Sequence, residues 1–320
     1  MITIAHAYVI GGLFFAGVAL LSVADATNPR RLRTFAFWGL LATSFLAGTH
    51  LGDFGNGLLA LGLVVLATLG LGAGRAETTS PDERRQSAMR RGNSLFLPAL
   101  IIPAVALAGT LAAKQTQWGP MLIDPSQATL VSLVLGVLIA IAVAMVWFRP
   151  PALAPLQEGR RLLDAVGWAA ILPQMLASLG AVFLAAGMGA QVGRLFSEFI
   201  PLEGRLVAVS AYCIGMALFT VVMGNAFAAF PVMTAAVGLP ILVGELGGDP
   251  ARVCAIGMLA GFCGTLMTPM AANFNVVPAN LLDLPDRKSA LNGVIRAQIP
   301  TAIPLLLVNI ALMRFLAFPT

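Results

Sequence analysis

Two short stretches of this chain place amide and hydroxyl side chains where apolar helix would otherwise run on. The first, VVMGNAFAAFPVMTAA (221–236), holds Gly224, Asn225 and Pro231. The second, GTLMTPMAANFNVVP (264–278), holds Thr265, Thr268, Pro269, Asn273 and Asn275. All of these polar side chains are neutral. Their oxygens suit a hard monovalent cation, and their N–H and O–H groups suit a carboxylate. An interrupted backbone adds to both. A helix that starts anew offers free N–H groups and partial positive charge to an anion, and one that stops offers carbonyls to a cation. No Asp, Glu, Lys or Arg lies between 206 and 244 or between 253 and 282, so coupling to sodium is expected ahead of a proton relay through a carboxylate within these regions.

The elements that hold these residues follow from the breaks. Residues 205–222 run apolar, Gly224 releases the backbone, and Asn225 can cap a new helix from Ala226 onward. Region 205–242 therefore predicts a re-entrant helical hairpin with its tip at 223–226. In region 251–283 a helix from Ala251 reaches Thr265 and breaks at Thr268-Pro269, because proline lacks a donor and clashes with the preceding turn. Breaks at bilayer depth persist where they are buried in protein or line a wet cavity, and secondary transporters bind substrate and coupling ion there. A blander reading stays open: Gly and Pro are common in membrane helices, and Thr and Asn often join helices. Ser210 and Thr220 lie at the edge of the polar set. Gly257 and Gly261 have the spacing of a close helix contact.

Composition supports the membrane setting. Of 320 residues, 58% are hydrophobic and 10% charged, and the mean hydropathy is +0.89. A soluble domain carries about 25% charged residues. Apolar runs recur at 5–23, 35–50, 56–74, 94–113, 127–148, 167–190 and 298–317, besides the two interrupted regions. They are continuous rather than alternating, which points to helices and not to a barrel. The expected class is all-α, a polytopic transmembrane helical protein with a re-entrant hairpin and a broken transmembrane helix. The run at 5–23 ends in SVADA, a cleavage-like motif, but no basic residue precedes it, so it reads as a first span and not a signal peptide.

The net charge of +5 does not indicate nucleic-acid binding, because the basic residues sit in short connectors. Arg30, Arg31 and Arg33 follow the first span; Arg75, Arg84, Arg85, Arg90 and Arg91 the third; Arg149, Arg160 and Arg161 the fifth; Arg287, Lys288 and Arg296 precede the last. The connectors after spans two and four hold only Lys114. Basic connectors face the cytoplasm, which puts both termini on the outer side of a cytoplasmic membrane. ETTSPDERRQSAMRRG reads as a short cytoplasmic helix, and PLQEGRRLLDAVG (155–167) and VGRLFSEFIPLEG (192–204) as interfacial helices, with a solvated loop the alternative for each. Residues 1–148 are expected to form a scaffold or oligomerisation domain and 149–320 the transport unit. Cys213, Cys254 and Cys263 lie in apolar helix without metal-ligand spacing, and His6 and His50 form no constellation. With no nucleophile–base pair or metal cluster at the breaks, an enzyme is not expected, and neither is a cofactor apart from sodium.

MGNAFAAFPVMTAA and GFCGTLMTPMAANFN, with PLQEGRRLLDAVGWAAILPQMLASLG before them, closely resemble a bacterial family of small membrane proteins. The likeness covers essentially the whole chain and is strongest in 155–315. That family is described as one subunit of a two-component 5-oxoproline (pyroglutamate) transporter, accompanied by a second, smaller membrane protein and a pyroglutamyl peptidase. The hairpin followed by a helix broken at Thr-Pro is more distantly similar to the ion-transporter superfamily of dicarboxylate and organic-anion carriers. The resemblance implies that Gly224, Asn225 and Ala226 form the hairpin tip. It also implies that Thr268, Pro269 and Asn273 form an unwound linker, with sodium at Asn225, Thr268 and Asn273 beside a small organic anion. Those carriers hold two inverted copies of this unit, and one is visible here, which implies that a second subunit or a homo-oligomer supplies the other. A non-transporting assembly subunit is the alternative.

Overall fold

The computed structural model describes residues 1–72, 74, 80–116, 118–199, 204–282 and 287–318. Among them the chain is helical, with no strand; an isolated bridge pairs Ile2 with Ile123. Among the described residues, seven helices are long and apolar enough to cross a membrane: Ile4–Ala24, Arg31–Thr68, Asp82–Gln115, Pro125–Phe148, Arg205–Met223, Ala226–Glu245 and Ser289–Leu316. This is an all-α architecture consistent with a polytopic membrane protein. The chain divides into two compact units, Met1–Asp164 and Ala165–Thr320.

The first unit begins with α1 (Ile4–Ala24) and α2 (Arg31–Thr68). They touch closely: Leu46 fills the space where a side chain at Gly12 would go, and Phe15 stacks on Trp38 with centroids 5.8 Å apart. Within α2, Gly52 has φ 62 and ψ −178, a conformation in effect reserved for glycine. The chain reverses there. Arg33 Nη1 donates to the Leu69 carbonyl at 2.9 Å, although 36 residues separate them; a straight helix would hold them roughly 54 Å apart. Asn56 pins the bend by donating to the carbonyls of Gly48 (2.8 Å) and Gly52 (2.9 Å). The expected spans 35–50 and 56–74 are thus the two antiparallel arms of one hairpin, so far as the latter is described.

Next come α3 (Pro81–Arg91), α4 (Leu97–Gln115), a single turn α5 (Gly119–Leu122), α6 (Ala128–Phe148) and α7 (Ala154–Val166). The start of α3 is a capping box between Ser80 and Glu83, with acids in its first turn and arginines in its last, so the expected short helix forms. Antiparallel α4 and α6 meet where Thr110 Oγ1 donates to Thr129 Oγ1 at 3.2 Å. α7 is held to α1 by Arg160, which is 7% exposed. Its guanidinium donates to the Leu21 carbonyl at 3.0 Å and pairs with Asp25 and Asp164. These contacts join α7 to the first unit, whereas the sequence division at 148/149 falls before it.

In the second unit, the expected span 167–190 begins as a tight 3-10 segment, Gly167–Ile171, that runs on into α8 (Leu172–Ala185); α9 (Met188–Phe199) follows. Gly187, at φ 71, turns the chain between them. The 14 residues of α8 and the five of the 3-10 segment before it together reach about 31 Å, near the thickness of a ~30 Å hydrocarbon core. The two helices together follow one neighbour, α11 (Ala226–Met233) and its continuation Thr234–Glu245, from Gly180 beside Ala228 to Gly193 beside Ala236. The expected interfacial helix at 192–204 is therefore part of this interrupted path; residues 200–203 lie outside the described set.

α10 (Arg205–Met223) and α11 are antiparallel. α11 continues to Glu245 as a widened helix with i→i+5 bonds, Pro240 lying inside it; Leu246 N–H reaches the Ile241 carbonyl at 2.9 Å. Tyr212 and Thr234 hydroxyls join the two across 3.0 Å. Tyr212, Met216, Met233, Val237 and Leu242 form the fully buried centre. α12 (Pro250–Leu266) runs parallel to α10 and antiparallel to α14 (Arg287–Leu316): Arg252 Nη1 donates to the Leu316 carbonyl at 2.7 Å. Helical bonding stops after Leu266 and resumes at Ala272, leading into α13 (Val277–Leu281). Gln298 of α14 donates to the Phe274 carbonyl at 3.2 Å, so the whole stretch from α12 to α13 follows α14.

Candidate functional site

The tip of the α10–α11 hairpin rests on the turn after α12. Gly224 closes α10 in the left-handed region, φ 76 and ψ 0, with its N–H on the Thr220 carbonyl at 2.7 Å. A side chain there would meet strain and also Met270, whose Cβ would lie 2.6 Å and carbonyl oxygen 2.8 Å from the added carbon. Asn225 is extended, and its Oδ1 accepts from Phe227 N–H at 2.7 Å. It is the helix cap that the sequence predicts. Ala226 opens α11 and is wholly buried.

On the other side, Thr268 Oγ1 donates to the Val221 carbonyl at 2.8 Å and accepts from Met270 N–H at 3.3 Å. Asn275 is fully buried, and its Nδ2 donates to the carbonyls of Thr265 (2.9 Å) and Thr268 (2.6 Å). It clamps the interrupted backbone by satisfying groups that the break leaves without helical partners. Pro269 is exposed at the crown of the turn. Thr265 turns its hydroxyl back to the Phe262 carbonyl at 2.6 Å, so its side chain serves its own helix. The side chain of Asn273 lies outside the described residues. Ser210 faces an apolar groove on the outer side of α10, away from the junction.

At this junction two buried oxygens find no partner among the described residues, Thr220 Oγ1, one turn before the tip, and Asn275 Oδ1; Gln298 Oε1, whose amide N–H reaches Phe274, is a third, and Ser132 Oγ and Asp164 Oδ1 are unpaired in the first unit. Leaving such a group unpaired costs about 1–3 kcal/mol. The structure thus brings together Gly224, Asn225, Ala226, Thr268, Pro269 and Asn275, and raises Thr220 from the margin of the set to its centre. The signal for Thr220 was present but faint: a hydroxyl one helical turn before a Gly-Asn pair. The junction also joins the carbonyl end of α10, the N–H end of α11 and the carbonyl end of α12.

Three glycines of α12 let it approach so closely. A side chain at Gly257 would run into Tyr212 and one at Gly261 into Ala226, as their spacing predicts; at Gly264 it would fall 2.2 Å from the Ala217 carbonyl oxygen. Cys213 packs against Met313, and Cys263 receives Asn309 Nδ2 at 3.5 Å.

The fold and junction are those of an all-helical chain with the long apolar helices of a polytopic membrane protein. More particularly, the chain belongs to the family described as protein of unknown function DUF979, whose model matches residues 5–318. No curated protein and no solved structure matches it.

Proposed function

We propose that this protein is a subunit of a secondary active transporter for a small organic anion, with the substrate and a coupling sodium ion bound where the hairpin tip meets the interrupted helix. The observation that carries this reading is the contact of Thr268 with the Val221 carbonyl, flanked by the two unpaired buried oxygens of Thr220 and Asn275. Hydroxyl, amide and carbonyl oxygens are the donor set of a hard cation, and the start of α11 suits a carboxylate.

Depth supports it as well. Along α14 the turn 267–271 falls between the levels of Asn309, which meets Cys263, and Gln298, which meets Phe274. That is near the middle of the apolar run 298–317. On this reading the hairpin is re-entrant and α12–α13 is a broken membrane helix. The host is a bacterial inner membrane with both chain termini outside.

The resemblance of 155–315 to the two-component family favours 5-oxoproline and a small membrane partner. The chemistry is compatible: a carboxylate for the helix start, and a lactam N–H and C=O for amide and hydroxyl side chains.

The test is uptake of labelled 5-oxoproline into proteoliposomes under an inward sodium gradient, with this chain alone and with its partner. Sodium-dependent uptake requiring both chains is expected. Folded protein without uptake in either case would remove the substrate. A second reading, a non-transporting assembly subunit, draws on the clamp-like use of Asn275. It is separated by Asn225→Ala, which should assemble normally and abolish uptake; unchanged uptake would favour the scaffold.

A further inference from the structure

In the first unit, the end of α6 meets the end of α3. Trp147 and Phe148 stack with centroids 4.9 Å apart. The Arg91 guanidinium lies over both, 5.9 Å from the Trp147 ring and 4.9 Å from that of Phe148, steadied by Ser87 Oγ at 2.7 Å. Trp147 also lines a groove of about 610 Å³ with Ala142, Val143, Val146 and Arg149. The floor is apolar and open along the helix, with Val146 77% exposed, and the mouth carries an indole and a guanidinium. The acidic residues of α3, Asp82 and Glu83, sit at its opposite end, where Glu83 is engaged by Ser80 N–H.

Arg149 is unusual in its backbone. It ends α6 at φ 51 and ψ 47, and is the only non-glycine residue with positive φ among the described residues. Gly or Asn would take this position with less strain. Pro150 and Pro151 already stop the helix. A cation also favours a helix C-terminus, but that alone accounts for neither the groove nor the Arg91–Trp147 pair beside it.

We propose that this groove binds an anionic phospholipid. An acyl chain lies along Ala142, Val143 and Val146. Trp147 sits at the glycerol level, and Arg149 and Arg91 hold the phosphate. Long basic side chains reaching the headgroup plane above an apolar helix face, with tryptophan between, match the layering of a bilayer interface. A free anion would leave the apolar length of the groove unused.

The experiment uses the full chain in neutral detergent, with melting temperature and native mass spectrometry as readouts. Phosphatidylglycerol, phosphatidylcholine of the same acyl chains, and inorganic phosphate are added separately. Phosphatidylglycerol is expected to be retained and to raise the melting temperature, and the other two are not. Arg149→Gly and Arg149→Asn both fit the left-handed backbone, so they should melt no lower than wild type without lipid while binding phosphatidylglycerol about fivefold more weakly. Arg91→Gln should weaken it to a similar degree. Equal retention of phosphatidylcholine overturns the proposal, as does full phosphatidylglycerol affinity in all three variants. An equal shift with phosphate alone also overturns it, in favour of a free-anion site.

Discussion

The hydroxyl of Thr268 donates to the carbonyl of Val221 at 2.8 Å, tying together segments 47 residues apart. Val221 is among the last residues of α10, whose carbonyls have no helical partner. The threonine that ends one helical path therefore completes another, and the hairpin tip is located by a hydrogen bond as well as by packing.

Replacing that hydroxyl tests the tie. Thr268→Val conserves shape and leaves the Val221 carbonyl unpaired, at an expected cost of about 1–3 kcal/mol. Thr268→Ser keeps the donor and should stay near wild type. Thermal melting of the purified protein checks both, and a valine variant that melts with wild type would show that the bond has no weight.

Close approach of α12 to α10 gives a second test. Gly264→Ala would set a carbon 2.2 Å from a backbone oxygen, which can move only with its helix. Overpacking of this kind costs about 1–3 kcal/mol or more. Gly293→Ala in α14 meets nothing within 4 Å and should be neutral or stabilising by up to about 1 kcal/mol. If both variants melt alike, the helices have slack that the structure does not show.

The Asp25–Arg160–Asp164 cluster should make the first unit sensitive to acid in two opposite ways. Asp25 is held below its ordinary value of 3.8, first by the Thr27 hydroxyl, with Thr27 N–H and Arg160 adding to it against burial. Asp164 is pushed above 3.8 by burial, against the pull of Arg160. A lowered carboxyl contributes stability that is complete above 3.8 and lost as pH falls below it. The raised one works the other way: stability falls as pH rises from 3.8 through its folded value. Acidifying from neutral should therefore first relieve Asp164 and then cost Asp25. Asp164→Asn should erase the first effect and Asp25→Asn the second, read as melting temperature against pH relative to wild type. Arg160→Gln, which leaves both carboxylates without their cation, should cost about 3–5 kcal/mol at neutral pH.

Much of this fold was legible in sequence where a residue type carries its own mechanism. Gly224-Asn225 states a released backbone and a cap, and both are found; Thr268-Pro269 states an interruption, and helical bonding stops at Leu266, just before it, and resumes at Ala272. Gly187 was not legible, because one glycine among alanines and methionines looks like a packing glycine until its φ is known. In sequence Asn275 reads as a ligand group, and in the structure half of it is a clamp: an amide offers a donor and an acceptor, and sequence does not say which faces the backbone. The Asp25–Arg160 pair spans 135 residues, with no local pattern to announce it.

The two unpaired oxygens lead to the sharpest expectation. Thr220→Val removes a buried hydroxyl that has no partner among the described residues, so in sodium-free buffer it should be neutral or mildly stabilising, unlike most buried polar substitutions. If Thr220 Oγ1 and Asn275 Oδ1 hold sodium, the wild type should melt higher in sodium than in potassium or choline at equal ionic strength. The increment should grow with concentration, reaching about 2.7 kcal/mol at a hundredfold excess over Kd. Thr220→Val should lose most of that increment while keeping its sodium-free stability. Asn275→Ala should lose the increment too, but it also strips two carbonyls of their donor and should melt lower in every salt. The contrast between these variants separates a ligand oxygen from a structural clamp. A full sodium increment in Thr220→Val would exclude this hydroxyl from any ion site, whatever the protein transports.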